Sequence, residues 1–280
     1  MSAYPIAGNP VPGLVDPNPH LTDDQVRRLI EIVEEEEPVI IGGQALNLWA
    51  QYFEARGHPE FSPEAPLTSK DLDFYRNKEA AERLAEELNG EVLLPTLDDA
   101  TPNAAVVLGR LDGRLIEVDF MAAVLGVEGR RIENNRVVLS GSVPGSDRKI
   151  QMLLLHPLDC LRSRLANVNM LGRNDPHSVR QARISIDVLK AFLDDLLGQA
   201  GGWKHVQSVL LDLSYVIREA HLGKPTHVIH RLPVTSVFDG FEDHPRLDER
   251  WRRKILAPCV QRVAKWTETA NTKLGKPPSI

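Results

Sequence analysis

Two aspartates on alternate residues, Asp71 and Asp73 in "KDLDFY", and a second acidic alternation, Glu117 and Asp119 in "LIEVDFM", hold the densest chemistry in this 280-residue chain. In an extended strand, alternate side chains share a face. Leu72 and Phe74 then turn to the core and leave Asp71 and Asp73 on the other side. Likewise Ile116, Val118 and Phe120 turn inward and leave Glu117 and Asp119 together. If the two strands are neighbours, the acidic pairs meet. Crowded carboxylates repel one another unless a cation neutralises them. Three convergent aspartates, Asp71, Asp73 and Asp119, make a cage for a hard divalent ion that prefers oxygen ligands, such as Mg2+ or Mn2+. Two such ions ~3.5–4 Å apart can hold the attacking and leaving oxygens of an in-line phosphoryl displacement.

A glycine pair upstream fits the same chemistry. Gly42-Gly43 lies between the apolar "PVII" and the helical pattern "QALNLWAQYFEARG". Glycines let backbone N–H groups approach phosphate oxygens closely, and a helix beginning near Gln44 offers its positive end to an anion. A glycine pair at a strand–helix junction is more often a plain turn, and a lone Asp-x-Asp more often a solvated strand face. The third aspartate on its own alternating strand tips the balance toward a site.

Taken together, Gly42-Gly43-Gln44-Ala45, Ser69-Lys70-Asp71-Leu72-Asp73 and Glu117-Val118-Asp119 resemble the signature of the DNA polymerase beta-like nucleotidyltransferase superfamily, in its AbiEii-like toxin and minimal nucleotidyltransferase form. The resemblance covers about residues 35–125. It implies that Asp71, Asp73 and Asp119 ligate two Mg2+ or Mn2+ ions and are catalytic, with Asp119 accepting the proton of the acceptor hydroxyl. It also implies that Gly42, Gly43, Ser69 and Lys70 hold the nucleoside triphosphate. The reaction would transfer a nucleoside monophosphate to a hydroxyl and release pyrophosphate. The acceptor would be RNA such as tRNA, in a toxin-like enzyme with a cognate antitoxin protein. Two departures stand out: a proline-rich loop at 58–68 lengthens the gap before Asp71, and Arg162 and Arg164, expected to bind the nucleotide, stand where relatives often place a lysine near the triphosphate. These departures keep two other readings open, a small-molecule nucleotidyltransferase of the antibiotic-modifying kind and a non-catalytic nucleotide-sensing or protein-binding module.

The elements that must position these residues are legible from periodicity and turn residues. Residues 1–20, with five prolines, read as an extended arm. Thr22 is a plausible N-cap for a helix with Leu29, Ile32 and Val33 on one face, stopped by Pro38. "KDLDFY" is a strand, "NKEAAERLAEELNG" a helix, "EVLLP" a strand, and Asp112-Gly113 a hairpin turn between two more. This order predicts an α/β (α+β) core with a mixed sheet over residues 21–155. Beyond His156-Pro157 the pattern becomes helical through residue 280, with the last helix interrupted at Pro258.

Composition sets outer limits. The chain is 42% hydrophobic and 26% charged, ordinary for a globular protein. No apolar run approaches the ~20 residues needed to cross a membrane, and the first residues lack the pattern of a signal peptide. Cys160 and Cys259 have no metal or redox spacing, which points to a reducing, cytoplasmic setting. Motifs for P-loops, dinucleotide turns, zinc proteases and serine hydrolases are missing. The net charge of −6 conceals a split: 23 acidic against 9 basic residues in 1–120, then 16 against 24 in 121–280. Residues 246–265 alone hold seven basic and two acidic side chains, either a solvated helix face or a surface for a polyanion. His227 and His230 read as structural, and Trp203, Trp251 and Trp266 as core or interface residues.

Overall fold

The computed structural model describes residues 20–58, 60–61, 71–96, 98–99, 101–142, 149–223 and 231–274. The arm at 1–19, Ser69, Lys70, His227 and His230 lie outside these residues. Helix α1 (Asp23–Ile32) starts on a reciprocal cap, in which the Gln25 N–H donates to the Thr22 hydroxyl and the Thr22 N–H donates to the Gln25 side chain. After a short 3-10 turn and Pro38, strand β1 (Val39–Ile41) is buried along its whole length. Helix α2 (Gly42–Glu54) begins two residues earlier than the sequence suggests, because both glycines form its first turn.

Strand β2 (Leu72–Tyr75), helix α3 (Lys78–Glu87) and strand β3 (Glu91–Leu93) follow. Strands β4 (Asn103–Leu111) and β5 (Arg114–Met121) are joined by Asp112 and Gly113, both with positive φ, as a two-residue primed turn requires. The expected alternation holds. Leu72, Phe74, Ile116, Val118 and Phe120 are buried, and the Phe74 and Phe120 rings stack at 5.2 Å between adjacent strands.

Three elements were not anticipated: helix α4 (Gly129–Asn135) and the hairpin of β6 (Val137–Ser142) and β7 (Lys149–Leu154). They extend the sheet to seven strands in the order β3-β4-β5-β2-β1-β7-β6. The sheet is mixed: β2 pairs parallel with β5 and β1 parallel with β7, while the remaining pairs, including β1 with β2, are antiparallel.

Helices α5 (Pro157–Asn169), α6 (Pro176–Gly198) and α7 (Trp203–Arg218) form the second part of the chain with α8 (Ala257–Leu274). Pro258 does not interrupt the last helix. A turn at Glu249–Trp251 and a π-helical segment at Arg252–Leu256 run straight into α8. Proline removes a donor and crowds the carbonyl four residues back, and the wider π turn absorbs both. The protein is thus α/β with a mixed sheet, followed by helices.

One apolar core surrounds the sheet, with Trp49, Phe53, Phe74 and Phe120; a second lies among the helices, with Leu161, Leu189, Leu213 and Phe241. Helix α6 serves both, giving Val188, Ala191 and Phe192 to the first and Ile186, Leu189 and Leu193 to the second. Trp251 and Trp266 pack against the helical core, whereas Trp203 is 37% exposed. Among the described residues, no helix is long and apolar enough to cross a membrane.

Candidate active site

Strand pairing assembles the acidic residues. In the parallel pairing of β2 with β5, Asp73 lies opposite Asp119, and in the antiparallel pairing of β1 with β2, Ile41 lies opposite Asp73. The residue after Ile41 is Gly42, whose backbone turns at φ +68° into α2. A Cβ on Gly42 would sit 1.9 Å from Asp73 Oδ2, so the glycine is needed both for its conformation and for the space it leaves. The first N–H groups of α2, which have no partner within the helix, therefore start beside the Asp73 carboxylate.

Gly42, Gly43, Asp71 and Asp73 line a cleft of about 790 Å³. The rest of its polar lining comes from Ser163, Arg164 and Asn167 of α5, from Arg173 and Asp175 in the following turn, and from His177, Ser178 and Gln181 at the start of α6. Pro102, Met121, Val124 and Leu125 add an apolar side. Arg164 is oriented by a 2.8 Å hydrogen bond from its Nη1 to Gln181 Oε1.

The electrostatics follow from this crowding. Burial, then the charges of Asp119 and Asp71, push the Asp73 carboxyl up to about 7, with Arg164 and Arg173 pulling the other way. Burial, Glu117 and Asp71 push Asp119 up to about 6, opposed by the Asn103 amide, which donates to Asp119 Oδ1 at 2.9 Å. Glu117 is raised by burial and by Asp71. Arg164 is lowered, chiefly by burial and also by Arg173, against the acidic influence of Cys160 and Asp73.

The donor set suits a hard divalent cation: oxygen ligands, Asp73 and Asp119 partly buried and Asp71 exposed, and mutually repulsive without a positive charge between them. Among the described residues, however, no three His, Cys, Asp or Glu side chains close into a metal cage. Asp119 is tied to Asn103 and does not line the cleft. The structure holds two acidic pairs on adjacent strands, and a shared ion would have to draw them together.

Of the two arginines singled out, only Arg164 reaches the cleft. Arg162 is turned away, with its Nε donating to the Gly126 carbonyl at 2.9 Å and its Nη2 3.6 Å from Glu219. Residues two apart on a helix point nearly oppositely, so one of the pair had to be elsewhere. Arg173, His177, Ser178 and Gln181 were not anticipated as site residues. The one signal for them was the string "RNDPHSVRQA", where Asp175 caps α6 through Ser178 and Pro176 stands at its first position.

The site is therefore a cleft lined by carboxylates, by the first residues of α2 and by two arginines. No protein-family model matches the chain, and no curated protein matches it. Among solved structures, it is similar to JHP933 from Helicobacter pylori, with 14% identity, 89% of this chain and 90% of the other covered, and a TM-score of 0.32. A second H. pylori structure, named only as a candidate nucleotidyltransferase, shares 14% identity over 91% of this chain and 97% of its own, with a TM-score of 0.31. Likeness at this level assigns neither substrate nor activity.

Proposed function

We propose that this protein is a metal-dependent nucleotidyltransferase that moves a nucleoside monophosphate from a nucleoside triphosphate to a hydroxyl on RNA, such as tRNA. The observation that carries the reading is the convergence of Asp73 and Gly42 at the mouth of α2, facing Arg164 and Arg173 across one cleft. Carboxylates at Asp71 and Asp73 and cations at Arg164 and Arg173, the latter beside Asp175, in one cleft suit a triphosphate with bound divalent ions.

In this reading Asp71, Asp73 and Asp119 hold Mg2+ or Mn2+, two ions per site, which would neutralise the carboxylates and the charge on the transferring phosphate. The N–H groups of Gly42 and Gly43 receive phosphate oxygens, and Arg164 and Arg173 fix the remaining phosphates by charge-assisted hydrogen bonds. Asp119 takes the proton of the acceptor hydroxyl as its oxygen bonds to the α-phosphorus and pyrophosphate leaves. The apolar side near Met121, Val124 and Leu125 suits a base or sugar face.

A non-catalytic nucleotide-binding module is the alternative. The tie between Asp119 and Asn103, away from the cleft wall, favours it. The deciding experiment incubates the protein with each α-labelled nucleoside triphosphate, Mg2+ or Mn2+ and total RNA, beside Asp73→Ala. Label in an RNA band with the wild type alone supports the transferase. Metal-dependent nucleotide binding with no label in RNA or in small-molecule acceptors supports the module.

A further inference from the structure

Most exposed cations of the first helices are neutralised nearby. Arg27 pairs with Asp24 and Glu31, Lys78 with Glu82, and Arg83 with Glu86 and Glu87. In the helical run from Glu249 to Leu274, Arg253 pairs with Glu249 at 2.8 Å, but four other cations stand apart. Arg250, Lys254, Arg262 and Lys265 are all exposed, and among the described residues none of them forms an ion pair. Arg250 and Lys254 are even four residues apart, where like charges weaken a helix.

The π segment aligns them. In an uninterrupted α-helix Arg250 would stand about a third of a turn from Arg262. A π turn between them takes in about one extra residue, roughly 100° of rotation, and brings the two nearly into line. The buried residues agree: Leu256, Cys259 and Val263 form the opposite, inward stripe. The result is a row of four cations over roughly 20 Å of helix. The row is not part of the cleft, whose lining on this side comes from α5, the turn after it and α6.

We propose that this row is an RNA-docking surface that holds the acceptor by its phosphate backbone. The proposal rests on the transferase reading above, because it assigns the acceptor of that reaction to RNA. The argument is charge complementarity: aligned, unpaired cations on a rigid helix match a regular polyanion and have no acidic partner of their own.

The test measures binding of a fluorescein-labelled tRNA transcript by anisotropy across a salt series, with the wild type, Arg250→Gln/Lys254→Gln, Arg262→Gln/Lys265→Gln and Asp73→Asn. These positions are exposed, and thermal melts confirm that each variant folds. Four phosphate contacts predict a log–log salt slope between about −3 and −4, and each Gln pair should flatten it by about 1.5–2 and weaken low-salt binding at least tenfold. Asp73→Asn should bind tRNA as the wild type does even if it transfers nothing, so failure of the cleft reading is seen separately. Unchanged slope and affinity in both Gln pairs would overturn the docking surface. Equal binding of a DNA duplex would overturn RNA as its occupant.

Discussion

Asp73 and Asp119 stand side by side on parallel strands, paired in register, with no basic side chain between them in the sheet. Each carboxyl is raised, to about 7 and about 6. A raised carboxyl leaves stability intact below its unfolded value and drains it as pH rises toward the folded one. In metal-free protein, Asp73→Asn should therefore match the wild type near pH ~4 and exceed it increasingly up to about pH 7. Allowing for partial exposure, the gain should be on the order of 2 kcal/mol, or a few degrees of melting temperature. Melts in chelator at several pH values decide it, and a constant difference would refute the electrostatic account. Added Mg2+ or Mn2+ should stabilise the wild type more than Asp73→Asn.

Gly42→Ala should lower stability by about 2–4 kcal/mol, because the new methyl meets Asp73 Oδ2 and the backbone is left-handed there. In denaturant titrations, Gly42→Ala/Asp73→Ala should lose less than the sum of the single changes, with a coupling of more than ~1 kcal/mol. Strict additivity would mean the two residues do not share the space.

Arg164→Ala should weaken nucleoside triphosphate binding about tenfold or more, and Arg173→Ala somewhat less, since Arg173 is exposed. Arg162→Ala should leave it unchanged, because its guanidinium serves Gly126 and Glu219. Calorimetric titration with a non-hydrolysable triphosphate separates the three. An effect of Arg162 equal to that of Arg164 would contradict the placement of the cleft.

Asp119→Asn should retain triphosphate binding within a few-fold yet lose transfer by about 10²–10⁴, the range of a removed general base. Single-turnover transfer with labelled nucleotide makes the measurement. Unimpaired transfer would move the base elsewhere, with Glu117 the nearest carboxylate on the same strand face.

Arg131 joins α4 to the helices: its Nε donates to Asp159 Oδ1 at 2.9 Å and its Nη1 to Asp212 Oδ2 at 3.2 Å. Asp159 is completely buried. Arg131→Met should cost about 3–5 kcal/mol by stranding that carboxylate, and Arg131→Met/Asp159→Leu should recover much of the loss. Denaturant midpoints report both.

Local signals were legible wherever a short stretch dictates its own geometry. Thr22, Asp112-Gly113 and the alternation through Leu72–Phe74 and Ile116–Phe120 all name their conformations without help from the rest of the chain. Tertiary partners were not. The "VVLSGS" and "KIQMLL" strands are mixed in pattern, and β7 becomes a strand by pairing with distant β1. Gly42-Gly43 reads as a phosphate-approaching pair, and that Gly42 also makes room for the Asp73 carboxylate shows only in the fold. Arg164 and Arg162 look equivalent in "LRSRL" until the helix phase sends one to the cleft and the other to Gly126. Pro258 looks like a break because nothing in its neighbours announces a π turn.

Helix α6 begins at the cleft with His177 and Ser178, and farther along it sets Phe192 against Trp49 on one face and Leu189 and Leu193 in the helical core on another. One 23-residue rod thus lies between the two cores, one face in each. Such a strut resists the scissoring by which two-lobed enzymes clamp their substrates. A ligand entering the cleft would then be met by rearrangement of exposed rim side chains such as Arg173 and Leu171, with the two cores standing still.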